Sequence, residues 1–272
     1  MVPANWRNKI PIKYFTLGYL SLLLLISTLA MGQIKYLANA FLLLLFYTIF
    51  DLLWTRWERG KWYVPLSSWL SALVLALVAG SELSLILIVL LPLLAVFCKH
   101  FLKFGRIRHI FNPAAFALAI VSVFTPVVTW WGVSWGKGVM IFIGIVGLYI
   151  LWSTDRKRIA NAFLASYGVF LAVYFVVNGT PIDELPRLLS NQLVDGTVFF
   201  FATVMLAEPI TSNFIRPWQQ RTYGGMTALA AVLIGYLTGV FIWPNQDPLI
   251  YGLLVGNVVA GLWFLPRRVI KG

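Results

Sequence analysis

The chain has 272 residues, 60% of them hydrophobic and 11% charged, with a mean hydropathy of +0.86, which marks a polytopic membrane protein and leaves no room for a soluble nucleotide-binding domain. A net charge of +12 would suit nucleic acid if the cations formed one patch, but they lie in short loops between apolar runs, so a nucleic-acid partner is excluded. The single cysteine, Cys98, excludes an internal disulfide and a cysteine-ligated iron–sulfur cluster held by this chain alone.

Ten apolar segments follow in order, at roughly 14–32, 36–54, 63–80, 84–102, 111–128, 137–153, 160–178, 196–213, 225–243 and 248–266. They predict an all-α polytopic fold of about ten transmembrane helices, in one integral membrane domain over 1–272. The first segment follows a basic N-terminus without a clear cleavage site, so it reads as an uncleaved span. With the N-terminus inside, only Lys35, Lys137 and Arg187 fall outside, leaving 18 of the 21 Lys and Arg on the inner side. That asymmetry predicts cytoplasmic termini and a multi-pass protein of the plasma (inner) membrane, with the hydrophilic connection 178–195 external. Ten spans divide into five plus five, and an odd-numbered unit inverts when repeated, which gives candidate repeats 1–132 and 133–272. Span three, ending VLALVAGSELS at 74–84, then corresponds to span eight, with TVMLAEPITS at 203–212; both end in small residues and an acid.

Span eight carries the strongest anomaly. About 12 residues after Gly196, Glu208-Pro209 interrupts the apolar run, and Thr211, Ser212 and Asn213 follow. A crossing needs about 20 apolar residues. Lipid cannot satisfy the backbone groups that Pro209 frees, so a discontinuous helix shaping a cofactor or ion site is favoured over a simple kink with Glu208 at the interface. Burial opposes a charge on Glu208, which would call for a proton or a nearby cation.

The second such stretch is KHFLKFGRIRHIFNPAAF at 99–116. Asn112 is a good helix cap and Pro113 a good first helical residue. With Arg106 and Arg108 alongside, this helix start offers either an anion seat or an ordinary cap beside inside-facing arginines. Asn112 and Glu208 fall at compatible depths, so they are expected to line one central, cytoplasm-facing cavity. Trp130, Trp131 and Trp135 suit an external aromatic belt, with ring stacking on a cofactor the less favoured role. Ser67, Ser68 and Ser71 form a polar stripe, and His100 and His109 read as loop and interface residues. Gly235/Gly239 and Gly252/Gly256 are candidate close-packing pairs, and Asn257 a candidate interhelical hydrogen bond. No metal site is expected, and no protease, P-loop, hydrolase or dinucleotide signature occurs, so the catalytic residues stay unassigned.

RHIFNPAAFALA at 108–119 resembles the FNPA segment of the membrane-subunit family shared by the Na+-translocating NADH:quinone reductase and the Rnf electron-transport complex. VMLAEPITS at 204–212 is similar to that family's F-M-A-T-D-P-V-T-S, with Glu208 where the family has Asp and Ala207 where it has Thr. WQQRTYGGMTALAAVLIG resembles K-W-I-Y-G-A-L-I-G, and GLLVGNVVAGL resembles L-L-A-N-L-F-A-P-L, in family order. The resemblance implies a ten-helix inverted-repeat protein that carries flavin and passes electrons within a multisubunit complex, beside other membrane or cytoplasmic redox subunits. The family esterifies FMN to a Thr in S-G-A-T, and this chain has no such motif between Pro126 and Asp195, so no covalent FMN is expected. A non-covalent flavin, FMN or riboflavin, is expected near Arg108, Asn112, Pro113, Trp130, Trp131, Glu208, Thr211 and Ser212. The rival reading is a channel or transporter for a small solute or ion, which an inverted repeat with broken helices and an intramembrane acid fits equally. A structural subunit without cofactor is the third.

The charge asymmetry makes a direct prediction. A cytoplasmic reporter fused at Gly272 should be active, and one inserted within 183–195 should be silent; the reverse pattern would end the ten-span arrangement.

Overall fold

In the computed structural model, which describes residues 11–104, 108–125, 129, 131–134, 137–214, 216–240 and 247–264, a helix lies on each of the ten apolar segments. In order these are α1 (Ile12–Met31), α2 (Ile34–Arg59), α3 (Leu66–Val78), α4 (Leu85–Phe101), α5 (Pro113–Phe124), α6 (Lys137–Ser153) and α7 (Lys157–Val177), then α9 (Gly196–Phe200), α10 (Pro217–Val240) and α11 (Pro248–Phe264). The hydrophilic connection, read from sequence as a loop, contains an amphipathic helix, α8 (Leu185–Leu193), which packs Leu189 and Leu193 onto the core. A two-residue antiparallel ladder, β1 (Lys103–Phe104) with β2 (Arg108–His109), follows α4.

Local chemistry sets the boundaries. Gly32 and Gly60 end α1 and α2 in the left-handed conformation and return their N–H groups to Leu29 and Arg56. Asn112 and Asp247 cap α5 and α11, and each is followed by a proline at the first helical position, where the missing N–H costs nothing.

Helices α1, α2 and α7 are long and apolar enough to cross a membrane, and α8 with the helix beginning at Gly196 forms a pair bent by 51° that passes the same test. Helices α3, α4, α5, α6 and α11 are shorter. At about 1.5 Å per residue, the 13 residues of α3 and 12 of α5 span about 20 and 18 Å, less than a bilayer core of about 30 Å. Their place explains this: Ala72–Val78 of α3 and most of α5 are buried, apolar on every side and wrapped by other helices. The outer helices turn large apolar side chains outward, among them Phe41, Leu53, Ile145, Leu148 and Val169, a surface made for lipid rather than water.

Packing follows a recurring plan. In the first half α1 meets α3, α2 meets α3 and α4, and α4 meets α5; in the second α6 meets α9, α7 meets α10, and α10 meets α11. The halves join through α1 with α6 and α5 with α11. The loop at 129–133 seals the end of α3, since Trp131 and Gly132 donate their N–H groups to the carbonyls of Val78 and Leu77 at 3.2 and 2.6 Å. Trp131 holds a left-handed φ of 49° to do so.

Of the two glycine pairs, one is a contact. A Cβ on Gly252 would strike the Ala231 backbone, and one on Gly256 would overlap Thr227, so α10 and α11 touch there. Among the described residues Gly239 meets nothing and Gly235 makes only ordinary contact with Pro248, which corrects the first pair: its face of α10 shows no close approach there. Asn257 accepts from the Tyr223 hydroxyl at 2.6 Å across the same seam. Gly256→Val should therefore cost about 1–3 kcal/mol of stability through overpacking. Gly239→Val should stay within about 0.5 kcal/mol. Thermal unfolding of the purified protein compares the two.

Candidate functional site

The interrupted helix is the centre of the site. After five α-helical residues from Gly196, the chain widens into a π turn over Phe201–Met205, closed by Leu206 N–H to the Phe201 carbonyl at 2.9 Å. Such turns mark places where a helix is reshaped for use. The helix stops there because Pro209 lacks an N–H and disfavours helical geometry at Glu208. The backbone this frees is satisfied locally. Ser212 donates its N–H (3.0 Å) and its hydroxyl (2.7 Å) to the Glu208 carbonyl, and the Thr211 hydroxyl reaches Glu208 Oε2 at 3.2 Å.

Two side chains from elsewhere pin the break. Asn112 accepts the N–H groups of Ala114 and Ala115 at 3.0 and 3.2 Å, and with its remaining amide hydrogens reaches the Met205 carbonyl at 3.3 Å. The cap of α5 is thereby bonded to the end of the interrupted helix. Arg156, which the sequence offered only as an inside-loop cation, is buried and donates to Asn213 Oδ1 at 3.1 Å and the Phe214 carbonyl at 3.5 Å.

Asn112 and Glu208 line one cavity of about 120 Å³. Ser67, Ser71, Thr154 and Thr203 add hydroxyls, and leucine, valine, isoleucine and alanine side chains form the rest of the wall apart from Thr16, Lys13 and Pro209. Pro113, Thr211 and Ser212 stand behind this wall: Pro113 opens α5, and the other two hold the Glu208 segment. Arg108 lies on the β1–β2 ladder with its backbone alone described, and Trp130 falls outside the described residues.

Trp131 corrects the sequence reading. It does not line this cavity and is not a belt residue: it is buried at the far end of α3, its indole donates to the Asp247 carboxylate, and its ring stands edge-on to Phe200 and Phe201 at 6.4 Å. The loop must cover the exposed carbonyls of α3, and the indole N–H gives it an anchor on the α11 cap.

Sequence reasoning missed Asp51. This fully buried carboxylate on α2 accepts from Lys99 Nζ at 2.9 Å, His100 Nε2 at 2.8 Å, Ser68 Oγ at 2.5 Å and the Tyr63 hydroxyl. Lys99 also reaches Ser67 and Ser68 at 3.1 and 2.7 Å. The signal was present as a lone acid inside an apolar run, IFDLLW, with a Lys-His pair at the end of α4. Of the two histidines read as loop and interface residues, His100 closes the Asp51 cluster from α4, and His109 is buried at the ladder in the connection between α4 and α5. Burial, with Lys99 and Lys103 nearby, pushes His109 down to about 4, so it is neutral at pH 7.

No protein-family model matches the chain, and no curated protein matches it.

The Asp51 cluster predicts asymmetric losses. Asp51→Ala leaves the largely buried Lys99 ammonium without its counter-ion and should cost about 3–5 kcal/mol, whereas the pair Asp51→Leu with Lys99→Met should recover much of it. Thermal unfolding of both variants decides; equal losses would show the ion pair is not what is broken.

Proposed function

We propose that the chain is an integral membrane electron-transport subunit of the type shared by the Na+-translocating NADH:quinone reductase and the Rnf complex. It works beside a separate cytoplasmic reductase and is coupled to ion movement at the Glu208 cavity. The observation that carries this is the bond from Asn112 to Met205. The two stretches that most resemble the family, RHIFNPAAFALA and VMLAEPITS, meet there, their bonded residues 93 positions apart in the chain.

The packing plan supports ten crossings in a five-plus-five inverted repeat in the plasma membrane. The neighbours α1–α3, α2–α4 and α4–α5 recur as α6–α9, α7–α10 and α10–α11, with α8 as an insertion. The joining pairs, α1 with α6 and α5 with α11, each unite a helix with its own counterpart. The Asn112-Pro113 and Asp247-Pro248 starts of α5 and α11 correspond too. The acids of spans three and eight do not: Glu82 is exposed and pairs with Lys35 at 2.6 Å, while Glu208 faces the cavity.

A flavin held without a covalent bond belongs to this reading, and the cavity in its present form does not accommodate one. At about 120 Å³ it is smaller than the pockets of about 300–1,000 Å³ that take drug-sized ligands, and among the described residues no aromatic side chain lines it. The cavity suits an ion, water or small solute held by Glu208 and neighbouring hydroxyls, so the chemistry assigned to it is ion or proton exchange at the Glu208 carboxylate. That size favours the second reading, a transporter for an ion or small solute.

An absorbance spectrum of the purified protein separates the two. Flavin bands that leave with denaturation, and no fluorescent band on a denaturing gel, are expected for the electron-transport protein. Glu208→Gln should then keep the chromophore and abolish ion coupling. A colourless protein whose flux in proteoliposomes needs no reductant, and falls at least tenfold in Glu208→Gln, would establish the transporter instead.

A further inference from the structure

A second pocket, of about 280 Å³, opens between the C-terminal turns of α2 and α4 and the β1–β2 ladder. Arg59, Lys99, Lys103, His100 and His109 line it together with the hydroxyls of Thr55, Tyr63 and Ser67, and no carboxylate does. Its room far exceeds the roughly 30 Å³ share of one water.

The nearby acids are already engaged. Asp51 lies behind the wall with its four donors, and Glu58 meets His100 Nδ1 at 3.4 Å and Arg59 Nε at 3.7 Å. The ends of α2 and α4 add about half a negative charge each, which Arg59 and Lys99 offset. Lys103 then stands without an ion-pair partner among the described residues. His109 sits across the ladder from it, more than nine-tenths buried, and among the described residues its Nδ1 has no hydrogen-bond partner. A buried nitrogen without a partner is costly, and a pocket lined by cations with no anion facing them is incomplete.

We infer that this pocket is a binding site for a phosphate group, held by Arg59 and Lys103 through its charged oxygens, with the Lys99 charge in the wall behind them, and by His109 Nδ1 through its O–H. A hydrogen phosphate carries both kinds of group, whereas sulfate at neutral pH has only acceptors, so the pocket prefers phosphate. Free phosphate and the monoester headgroup of phosphatidic acid share this chemistry. The site is separate from the Glu208 cavity and does not depend on the electron-transport reading.

The test uses the full chain, stripped of lipid in detergent. Titration calorimetry with inorganic phosphate should give saturable binding that Arg59→Gln with Lys103→Gln weakens about tenfold or more. Arg59 is largely exposed, and Lys103→Gln alone serves if the double variant unfolds. Sulfate should bind more weakly, and His109→Gln should narrow that difference. Nanodiscs with and without phosphatidic acid identify the source. Retention of that lipid in native mass spectrometry, with phosphate excluded, indicates a headgroup, and undisturbed phosphate binding indicates a free ligand. Folded protein that binds neither, binds phosphate unchanged in the variants, or binds sulfate as tightly overturns the assignment.

Discussion

The bond between the Asn112 amide and the Met205 carbonyl joins two places where helical hydrogen bonding stops inside the protein. Away from water, every freed backbone group needs a partner, and each orphan costs several kcal/mol. Pro209 forces the interruption, the π turn spreads it over Phe201–Met205, and Thr211, Ser212 and Arg156 cover the backbone beyond it. Such a break cannot face lipid. It requires a jacket of other helices, which is why α3 and α5 are short and enclosed while α1, α2 and α7 present apolar faces outward.

Two acids lie inside this jacket, and their surroundings give them different work. Asp51 accepts from four donors, two of them able to carry a positive charge, and its charge is matched where it stands. An ion so fully paired serves structure: it fastens α2 to α3 and α4. Glu208 has one hydroxyl donor and otherwise faces a mostly apolar cavity, so its charge state depends on what enters. Sparse partnering is what an exchange site needs, since a carboxylate already saturated has nothing to trade. Ser67 lines both cavities and accepts from Lys99, so the structural cluster forms one wall of the Glu208 cavity.

What could be read from the sequence divides along physical lines. Helix positions were legible because ten apolar runs are separated by loops rich in glycine, proline and charge, and each run became a helix. The break at Glu208-Pro209 and the cap at Asn112 were legible because proline and asparagine act on their own backbone. Long-range partnering was not. Asp51 finds Lys99 and His100 at 48 and 49 positions' separation, and nothing local distinguishes such a pair from two interface residues. Trp131 was misread for the same reason, since its burial depends on Asp247 of the α11 cap. Glycine spacing is likewise local, and only packing reveals that Gly256 meets Thr227 while Gly239 meets nothing among the described residues.

The ends of α3 and of the interrupted helix show how similar parts serve unlike purposes. At α3 the carbonyls of Leu77 and Val78 are taken by the N–H groups of Gly132 and Trp131, and the covering loop is fastened by Ser27 to Gly132 and by Thr129 and Trp131 to Asp247. That end is closed by protein on every side described. At the other, the Met205 carbonyl is taken by Asn112, and Ala207 and Glu208, just past it, face the cavity. A charged cap, Asp247, suits the closed end because Thr129 and the indole of Trp131 donate to it there. A neutral cap, Asn112, suits the open end because a second carboxylate beside Glu208 would add like-charge repulsion at short range. The choice of asparagine at one cap and aspartate at the other thus depends on which end is left open.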